Sequence, residues 1–336
     1  DKTYCRRGAF LPEVDFDPVA FGIPPNNLPA TDSAQLLTLV AAARVLAEVA
    51  DGGPDTLDGD RVGVILGSAA LELIGEVGGR LGRPIWLKAL QESGIAADRA
   101  QVICDRIADH YTPWQEATFP GLLSNVVAGR VANRFDLHGL SCTVDAACSS
   151  SLAALSMAVD QLILNRADMM VTGGVDTLND PFTFLCFSKT PALSPTGDCR
   201  PFSEAADGTM LGEGLSLFAL KRLADAERDG NRIYAVIRGI GSSSDGRSTS
   251  IYAPLATGQV RALRRAYAAA GYGPGTVSLV EAHGTGTLAG DATEVAALRE
   301  VFEECGRLDH QWCALGSVKS QLGHTKAAAG AAGLLK

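Results

Sequence analysis

The sequence predicts a layered α/β fold in which mostly parallel sheets are covered by helices. Short apolar strands alternate with longer helices along the chain, and this alternation is typical of parallel sheets. Of the 336 residues, 46% are hydrophobic and 20% are charged, which allows a large core. Neither a linker nor a short-period repeat interrupts the pattern. We therefore expect a single domain over residues 1–336, with an N-terminal half to about residue 210 and a C-terminal half from residue 211.

The N-terminal half is expected to begin with an irregular segment and to continue with alternating helices and strands. Residues 1–33 are rich in proline and aromatic residues, and Thr31 and Asp32 then supply the cap signal for a helix at 33–50. A strand is predicted next at 61–67, followed by a partly charged helical region to about Tyr111 and a helix at 124–132. A strand from Ser141, a helix to about Arg166 and a strand at 168–174 are predicted after these. The stretch from there to Glu213 is long and Pro-punctuated, and such loops tend to be functional.

The C-terminal half shows the same alternation of strands and helices. Strands are predicted at about 215–220, 234–241, 277–282 and 313–318. Helices are predicted at about 258–270 and 290–304, with a last helix from about residue 325.

Charge and cysteine content exclude several classes of function. The formal net charge of −9 argues against nucleic acid or a membrane as a partner, and it suits an enzyme whose partner docks on a local basic patch. The eight cysteines form no C-x-x-C pair, so no metal site is expected. No apolar run reaches the ~18–20 residues that span a bilayer, and the first residues do not have the pattern of a signal peptide. These features predict a cytoplasmic protein with reduced thiols.

Cys148 is the first candidate for a catalytic residue. It lies where a β-branched strand stops and an Ala/Leu-rich helix begins, with Ser149, Ser150 and Ser151 behind it to cap the helix. The positive end of the helix dipole is expected to lower the pKa of the thiol from about 8.5 toward about 7 or below, which favours a nucleophile. The alternative is a small buried cysteine in an α/β core.

The second candidate is His283, which follows a predicted strand and opens a Gly/Thr loop. A histidine at the carboxyl end of a strand lies where α/β sheets place their sites, so we interpret it as catalytic. A nucleotide-binding loop is the alternative, because glycine-rich turns before helices bind phosphates. However, Gly284, Gly286 and Gly290 form the pattern G-x-G-x-x-x-G, and no Walker lysine follows.

The third candidate is the loop that carries Lys319 and His324. It follows another predicted strand and leads into a helix of small residues. Alone, His324 would be interpreted as a structural or surface histidine. A thiol and two histidines, each at a strand-to-helix turn of one α/β unit, together predict a catalytic site.

These three stretches resemble the motifs of β-ketoacyl synthases with the thiolase fold. The resemblance covers essentially the whole chain, and it implies a thiolase-like layered fold of two related βαβ halves. Further stretches resemble the ketosynthase domains of iterative type I synthases, namely the enediyne polyketide synthases and the related polyunsaturated fatty acid synthases: residues 4–12, 21–26, 187–191, 238–246 and 250–254. Residues 112–116 and 192–198 favour the enediyne branch.

The resemblance implies a role for each catalytic residue. Cys148 would accept the growing acyl chain from an acyl carrier protein. His283 and His324, as neutral imidazoles, would stabilise the enolate formed when carrier-bound malonyl loses CO2. Attack of this enolate on the Cys148 thioester would complete a decarboxylative Claisen condensation.

Four further residues have supporting roles in the resemblance. Lys319 would set the field around His324, with a surface lysine as the alternative. Thr285 and Thr287 match positions that bind the pantetheine arm. Asp291 would support the site, although an N-cap of the helix at 290–304 explains it almost as well.

The resemblance also implies partners. The domain would need no cofactor of its own, because its malonyl and acyl thioester substrates are carried on the phosphopantetheine of an acyl carrier protein. Acyltransferase and reductive domains would be its neighbours, and a homodimer its assembly. The family's first core strand and its closing oxyanion loop are not recognised, so the domain is expected to be incomplete at both ends. A non-condensing, carrier-binding scaffold remains as an alternative.

Overall fold

A four-stranded mixed sheet combines three strands of the N-terminal half with a fourth strand from the start of the C-terminal half. The computed structural model describes residues 2–50, 57–69, 73–247 and 253–336. The strands of this sheet are β1 (Val62–Ser68), β2 (Ser141–Val144), β3 (Met169–Asp176) and β4 (Gly214–Leu220). Their order is β2-β1-β3-β4, with β1 parallel to both β2 and β3 and with β3 antiparallel to β4.

Helices cover this sheet and connect its strands. Those before β2 are α1 (Ser33–Val49), α2 (Leu73–Gly78), α3 (Arg83–Glu92), α4 (Ala97–Ala108), α5 (Thr118–Leu122) and α6 (Asn125–Arg134). Those after β2 are α7 (Ser150–Ile163), α8 (Pro181–Lys189) and α9 (Leu223–Arg228).

The C-terminal half contains a smaller, parallel sheet of two strands, β5 (Leu279–Glu281) and β6 (Ala314–Gly316). Its helices are α10 (Ala256–Ala270), α11 (Leu288–Glu303), α12 (Lys319–Leu322) and α13 (Ala329–Leu335). Most strand pairs in the described residues are therefore parallel and lie among helices, which confirms the predicted mixed, mostly parallel α/β architecture.

The core lies on both faces of β1, whose seven residues are all buried. Val64 and Leu66 face the cluster that includes α1 and α6, whereas Ile65 between them faces Ala154 and Ala158 of α7. This alternation follows from the two-residue period of a strand. Each such buried aliphatic side chain contributes about 1.5–3 kcal/mol relative to its exposed state. The sheet is thus a rigid support for the turns at its carboxyl end.

The predicted strand at 234–241 is wrong. This segment pairs with no strand in the described part of the chain, and Tyr234 and Val236 are 69% and 45% exposed. Gly239 and Gly241 instead lie against the backbone of α10, where an added Cβ would meet Ala266 at 2.5 and 2.4 Å. An apolar alternation indicates an extended chain, but a strand also needs a neighbour that pairs with its N–H and C=O groups.

Other differences from the sequence prediction are local. Helix α8 forms inside the stretch that was predicted to be irregular, where the Asp180 carboxylate accepts a hydrogen bond from Thr183 N. The final helix begins at Ala329, after a turn at Lys326–Ala328. Residues 250–252, part of one stretch used for the resemblance, lie outside the described residues. Among the described helices, none combines the length and the apolar character needed to span a membrane.

Candidate active site

Cys148 lies in a tight turn between β2 and α7. The turn covers Ala147–Ser149, and Ala147 has a φ of +50°, a left-handed conformation that costs a residue with a Cβ about 1–2 kcal/mol. Ser150 Oγ accepts a hydrogen bond from Ala146 N at 2.8 Å and donates one to Ala147 O at 2.7 Å. The sequence predicted that the serines cap α7, but no side chain caps it. The Ser150 hydroxyl closes the strained turn instead.

Glycine at position 174 lets the Cys148 helix and the His324 turn approach each other. A Cβ on Gly174 of β3 would lie 2.6 Å from the Cβ of Ser151 and 2.7 Å from the Cα of Ala328. Ser151 Oγ also accepts a hydrogen bond from Ala331 N of α13 at 3.0 Å. Any side chain at 174 would therefore force the two elements apart.

Three predicted residues converge at the end of the sheets. The Cys148 thiol and the imidazoles of His283 and His324 have one side-chain atom each within 4.8 Å of one another. The two imidazole rings are 5.4 Å apart between centroids and lie at 89°. The turns were predicted to form a common site, and the structure brings their side chains together.

His324 is fixed by its neighbours on all sides. It is 3% exposed, and its Nδ1 accepts a hydrogen bond from Lys326 N at 2.9 Å. A neutral imidazole that accepts at Nδ1 carries its proton on Nε2, so His324 can donate from Nε2. Its pKa lies well below the ordinary value, mainly because of burial and also because of the charge of Lys319. It is therefore neutral near pH 7.

His283 is held mainly through its backbone. The Glu294 carboxylate accepts hydrogen bonds from His283 N at 2.7 Å and from Gly284 N at 2.8 Å. The residue keeps an exposed face, yet the surrounding protein and the Lys319 charge lower its pKa to about 4. This imidazole is also neutral near pH 7, and its open face is accessible to a substrate.

The thiol of Cys148 does not have the predicted low pKa. Cys148 is half-buried, and burial raises the pKa of its thiol above the ordinary value. The charge of Lys319 opposes this effect, as does that of Lys326 at a smaller magnitude. Loss of hydration is therefore the largest influence on this thiol, and the sequence prediction did not include it.

Lys319 is a buried lysine at the start of α12. It is 3% exposed, which contradicts the alternative of a surface lysine. Burial lowers the pKa of its ammonium, and the thiols and carboxylates around it oppose that effect. Its positive charge acts on Cys148, His283 and His324 together.

The three predicted supporting residues that follow His283 hold its loop or each other. Thr285 Oγ1 and Thr287 Oγ1 are 2.8 Å apart and share a hydrogen bond. The buried Asp291 carboxylate accepts hydrogen bonds from Gly286 N at 3.1 Å and from Phe202 N at 2.7 Å. Helix α11 begins at Leu288, so Asp291 is not its N-cap. This carboxylate joins the histidine loop to the loop at Phe202.

A thiol with two imidazoles is also a donor set that zinc uses. Zinc binding by His324 through Nε2 would require the ring proton on Nδ1. The hydrogen bond from Lys326 N occupies Nδ1 and favours the opposite tautomer. The geometry therefore favours hydrogen-bond donation to a substrate oxygen over metal ligation.

Three residues around the site were not predicted from the sequence: Asp176, Glu294 and Lys326. Asp176 ends β3, and the rule that places sites at the carboxyl ends of strands indicates such a position. Glu294 lies three residues after Asp291 on α11, and so on the same helical face. Lys326 lies two residues after His324, but only the fold shows what its ammonium contacts.

Comparison with known proteins identifies the family. The family model for the β-ketoacyl synthase N-terminal domain matches residues 1–226. The family model for the C-terminal domain matches residues 234–336. The chain is 43% identical over 340 residues to a polyunsaturated fatty acid synthase polypeptide of Thraustochytrium sp.. It is 40% identical over 334 residues to a phenolphthiocerol/phthiocerol polyketide synthase polypeptide of Mycobacterium tuberculosis. These alignments cover 100% and 98% of the chain, but only 12% and 16% of the relatives.

Solved structures show the same fold. The ketosynthase from module 6 of the bacillaene synthase from Bacillus subtilis 168 is 33% identical with a TM-score of 0.78, and the match covers 95% of this chain and 49% of that one. An oxazolomycin ketosynthase domain from Streptomyces albus JA3453 is 29% identical with a TM-score of 0.80, over 99% and 52%. The chain therefore has the thiolase-like fold of these ketosynthases and belongs to the β-ketoacyl synthase family.

Proposed function

We propose that this protein extends an acyl chain by decarboxylative Claisen condensation with malonyl-acyl carrier protein. The observation that carries the proposal is the convergence of the Cys148 thiol with two neutral imidazoles within 4.8 Å. A thiol can form a covalent acyl intermediate. The N–H groups of neutral imidazoles can donate hydrogen bonds that stabilise negative charge as it develops on an oxygen atom.

The first step transfers the acyl chain to Cys148. The thiolate attacks the carbonyl of the acyl thioester on the carrier, and the phosphopantetheine thiolate leaves and takes up a proton. The raised pKa of Cys148 makes the thiolate a minor species, so the nearby charge of Lys319 has a direct role in forming it. The site then contains a Cys148 thioester and a free carrier.

The second step forms the carbon–carbon bond. His324 Nε2–H and a ring N–H of His283 donate to the thioester carbonyl oxygen of malonyl-carrier. When CO2 leaves, the electron pair of the broken C–C bond remains on the malonyl-derived group as an enolate. Both donors stabilise this enolate. The enolate carbon attacks the Cys148 thioester, the C–S bond breaks, and the thiolate is reprotonated as the β-ketoacyl-carrier forms.

The carrier supplies the prosthetic group that this chemistry needs. Ketosynthase domains need no cofactor of their own, since the acyl chain is held on the carrier's phosphopantetheine. We assign Thr285 and Thr287 to the pantetheine arm, because their hydroxyls lie on the loop that follows His283. Asp291 supports this loop.

The product class has two candidates. We propose an iterative, polyene-forming polyketide synthase of the enediyne type, supported by the sequence motifs at 112–116 and 192–198. A polyunsaturated fatty acid synthase is the second candidate, favoured by the 43% identity to such a synthase of Thraustochytrium sp.. The product of the intact synthase distinguishes them, since a conjugated polyene absorbs at long wavelength and isolated double bonds do not.

Neighbouring domains and self-association are part of the proposal. The chain spans 12–16% of the length of two curated relatives, which supports acyltransferase, reductive and carrier domains as partners. A homodimer is supported by the edge position of β2, which pairs only with β1 in the described part of the chain. Sedimentation equilibrium tests the dimer, and a monomer at micromolar concentration would contradict it.

Mass spectrometry of the intact protein tests the condensation. Acyl-carrier is expected to load one acyl group on the protein, and malonyl-carrier is expected to discharge it with release of CO2. Cys148→Ala should abolish loading, whereas Cys186→Ala, which removes an exposed thiol, should not. A folded protein that binds the carrier and never loads would instead indicate a non-condensing scaffold.

A further inference from the structure

A largely enclosed ion pair lies next to the turn that follows His324, and it is not used in the condensation steps above. Lys326 Nζ is 3.0 Å from Asp176 Oδ1, and the two side chains are 12% and 4% exposed. Lys326 Nζ also donates to Asn179 Oδ1 at 3.0 Å and to Gly212 O at 2.8 Å. An ammonium has three protons to donate, so these acceptors match its full capacity.

Both members of the pair hold the turn that follows His324. Asp176 Oδ2 accepts a hydrogen bond from Ala327 N at 3.2 Å, while its Oδ1 accepts one from Leu178 N at 3.2 Å. Lys326 itself has a φ of +47°, a conformation that a residue with a Cβ adopts only when its surroundings impose it. The backbone N–H of this same residue donates to His324 Nδ1. The side chain and backbone of Lys326 thus connect β3 to the catalytic ring.

We propose that Asp176 and Lys326 are positioning residues for His324: the pair holds the Lys326 backbone in its left-handed conformation, so that Lys326 N–H occupies Nδ1 and the imidazole presents Nε2–H to the substrate carbonyl. This inference rests on the proposed condensation. Neither side chain is assigned any contact with the substrate.

The pair also balances charge behind the site. Lys326 lowers the pKa values of both Cys148 and His324, and Asp176 raises that of Cys148. The other charged or titratable groups that face His324 are Lys319 on α12, His283 after β5 and the Cys148 thiol. Removing one member of the pair leaves the other as an unbalanced buried charge near all of these groups.

The variants are Lys326→Met, Lys326→Arg, Asp176→Asn and the double variant Asp176→Asn/Lys326→Met, with Lys88→Met as a matched surface control. Lys88 forms an exposed pair with Glu92 at 3.8 Å on α3. All are made in the intact protein, and circular dichroism confirms folding. Two rates are measured against pH: condensation of acyl-loaded protein with malonyl-carrier, and alkylation of Cys148 by iodoacetamide.

Lys326→Met is expected to lower kcat for condensation at pH 7 by about 10–100-fold, with KM for malonyl-carrier unchanged, as for other groups that orient a ligand through a second residue. Lys326→Arg should restore most of the rate, because it keeps the charge. In Lys326→Met the negative charge of Asp176 is unpaired. This charge should move the acid limb of the pH profile for condensation and the midpoint of the pH profile for alkylation to higher pH. Asp176→Asn should move both to lower pH, and the double variant should return toward the native profile.

The positioning role of Asp176 and Lys326 is overturned if Lys326→Arg is as slow as Lys326→Met. It is also overturned if every folded variant keeps the native pH profiles. Should Lys326→Met fail to fold, the shift of Asp176→Asn to lower pH and the return of the double variant toward the native profile decide the question. Alkylation needs neither carrier nor condensation. A native protein that never condenses would therefore contradict the proposed function, while the alkylation profiles would still test the pair.

Discussion

The turn that carries His324 and the loop that carries His283 are held in opposite ways. His324 is buried, and a hydrogen bond from Lys326 N to its own ring sets the orientation of that ring. His283 keeps an exposed face, and its anchor is the Glu294 carboxylate on its backbone N–H. A donor fixed in advance and a donor with an open face can thus serve the same carbonyl oxygen. Removal of His324 and removal of His283 are therefore expected to slow the reaction by different factors.

The largest expected effects come from replacing each histidine by alanine. His324→Ala should slow decarboxylation of malonyl-carrier by about 10²–10³-fold, the usual cost of removing one preorganised oxyanion donor. His283→Ala should cost about ten-fold less, because water can enter at the open face and donate in place of the ring. Single-turnover release of CO2 measures both. Equal losses, or the reverse order, would contradict the contrast between the two rings.

The next effect tests the backbone anchor. Glu294→Gln removes the charge that accepts hydrogen bonds from His283 N and Gly284 N, and each hydrogen bond to a charged group contributes about 1.5–3 kcal/mol. We expect a lower free energy of unfolding in urea and a lower kcat. The matched control is Glu303→Gln, which removes an exposed pair with Arg299. If both variants unfold at the same urea concentration, the Glu294 carboxylate does not stabilise the His283 loop.

The smallest expected effect is a dependence of stability on pH. The pKa of His283 is about 4 in the folded protein, against about 6.5 for an unfolded histidine. Between these values the unfolded chain binds more protons, so the free energy of unfolding should fall as pH drops from about 6.5 toward 4. The more deeply buried His324 adds to this slope. Urea midpoints at several pH values measure it.

Variants sharpen that pH test. His324→Gln and His283→Gln should each flatten the decline in urea midpoint, since each removes an imidazole whose pKa is lowered in the folded protein. An identical slope in the native protein and both variants would show that other groups govern the acid response.

The sequence was sufficient to predict the strand-to-helix connections that carry Cys148, His283 and His324. A strand that ends at a residue and is followed by a helix is a local pattern, and the structure has each of these residues in such a connection. The same local reasoning failed for residues 234–241, where an extended apolar segment lacks a partner strand among the described residues. It also failed for the pKa of Cys148, because the helix terminus is visible in the sequence but burial is not.

The α/β class, most of the order of helices and strands, and the chemical identity of the thiol and the two imidazoles could be predicted from the sequence alone. These depend on periodicity, caps and turns, which act over a few residues. The folded chain was needed to show that the three groups meet within 4.8 Å, that both imidazoles have lowered pKa values, and that Lys319 is buried near them. It also decided that Lys326 joins Asp176 behind His324. Burial and charge depend on residues far apart in the chain, so no local pattern contains them.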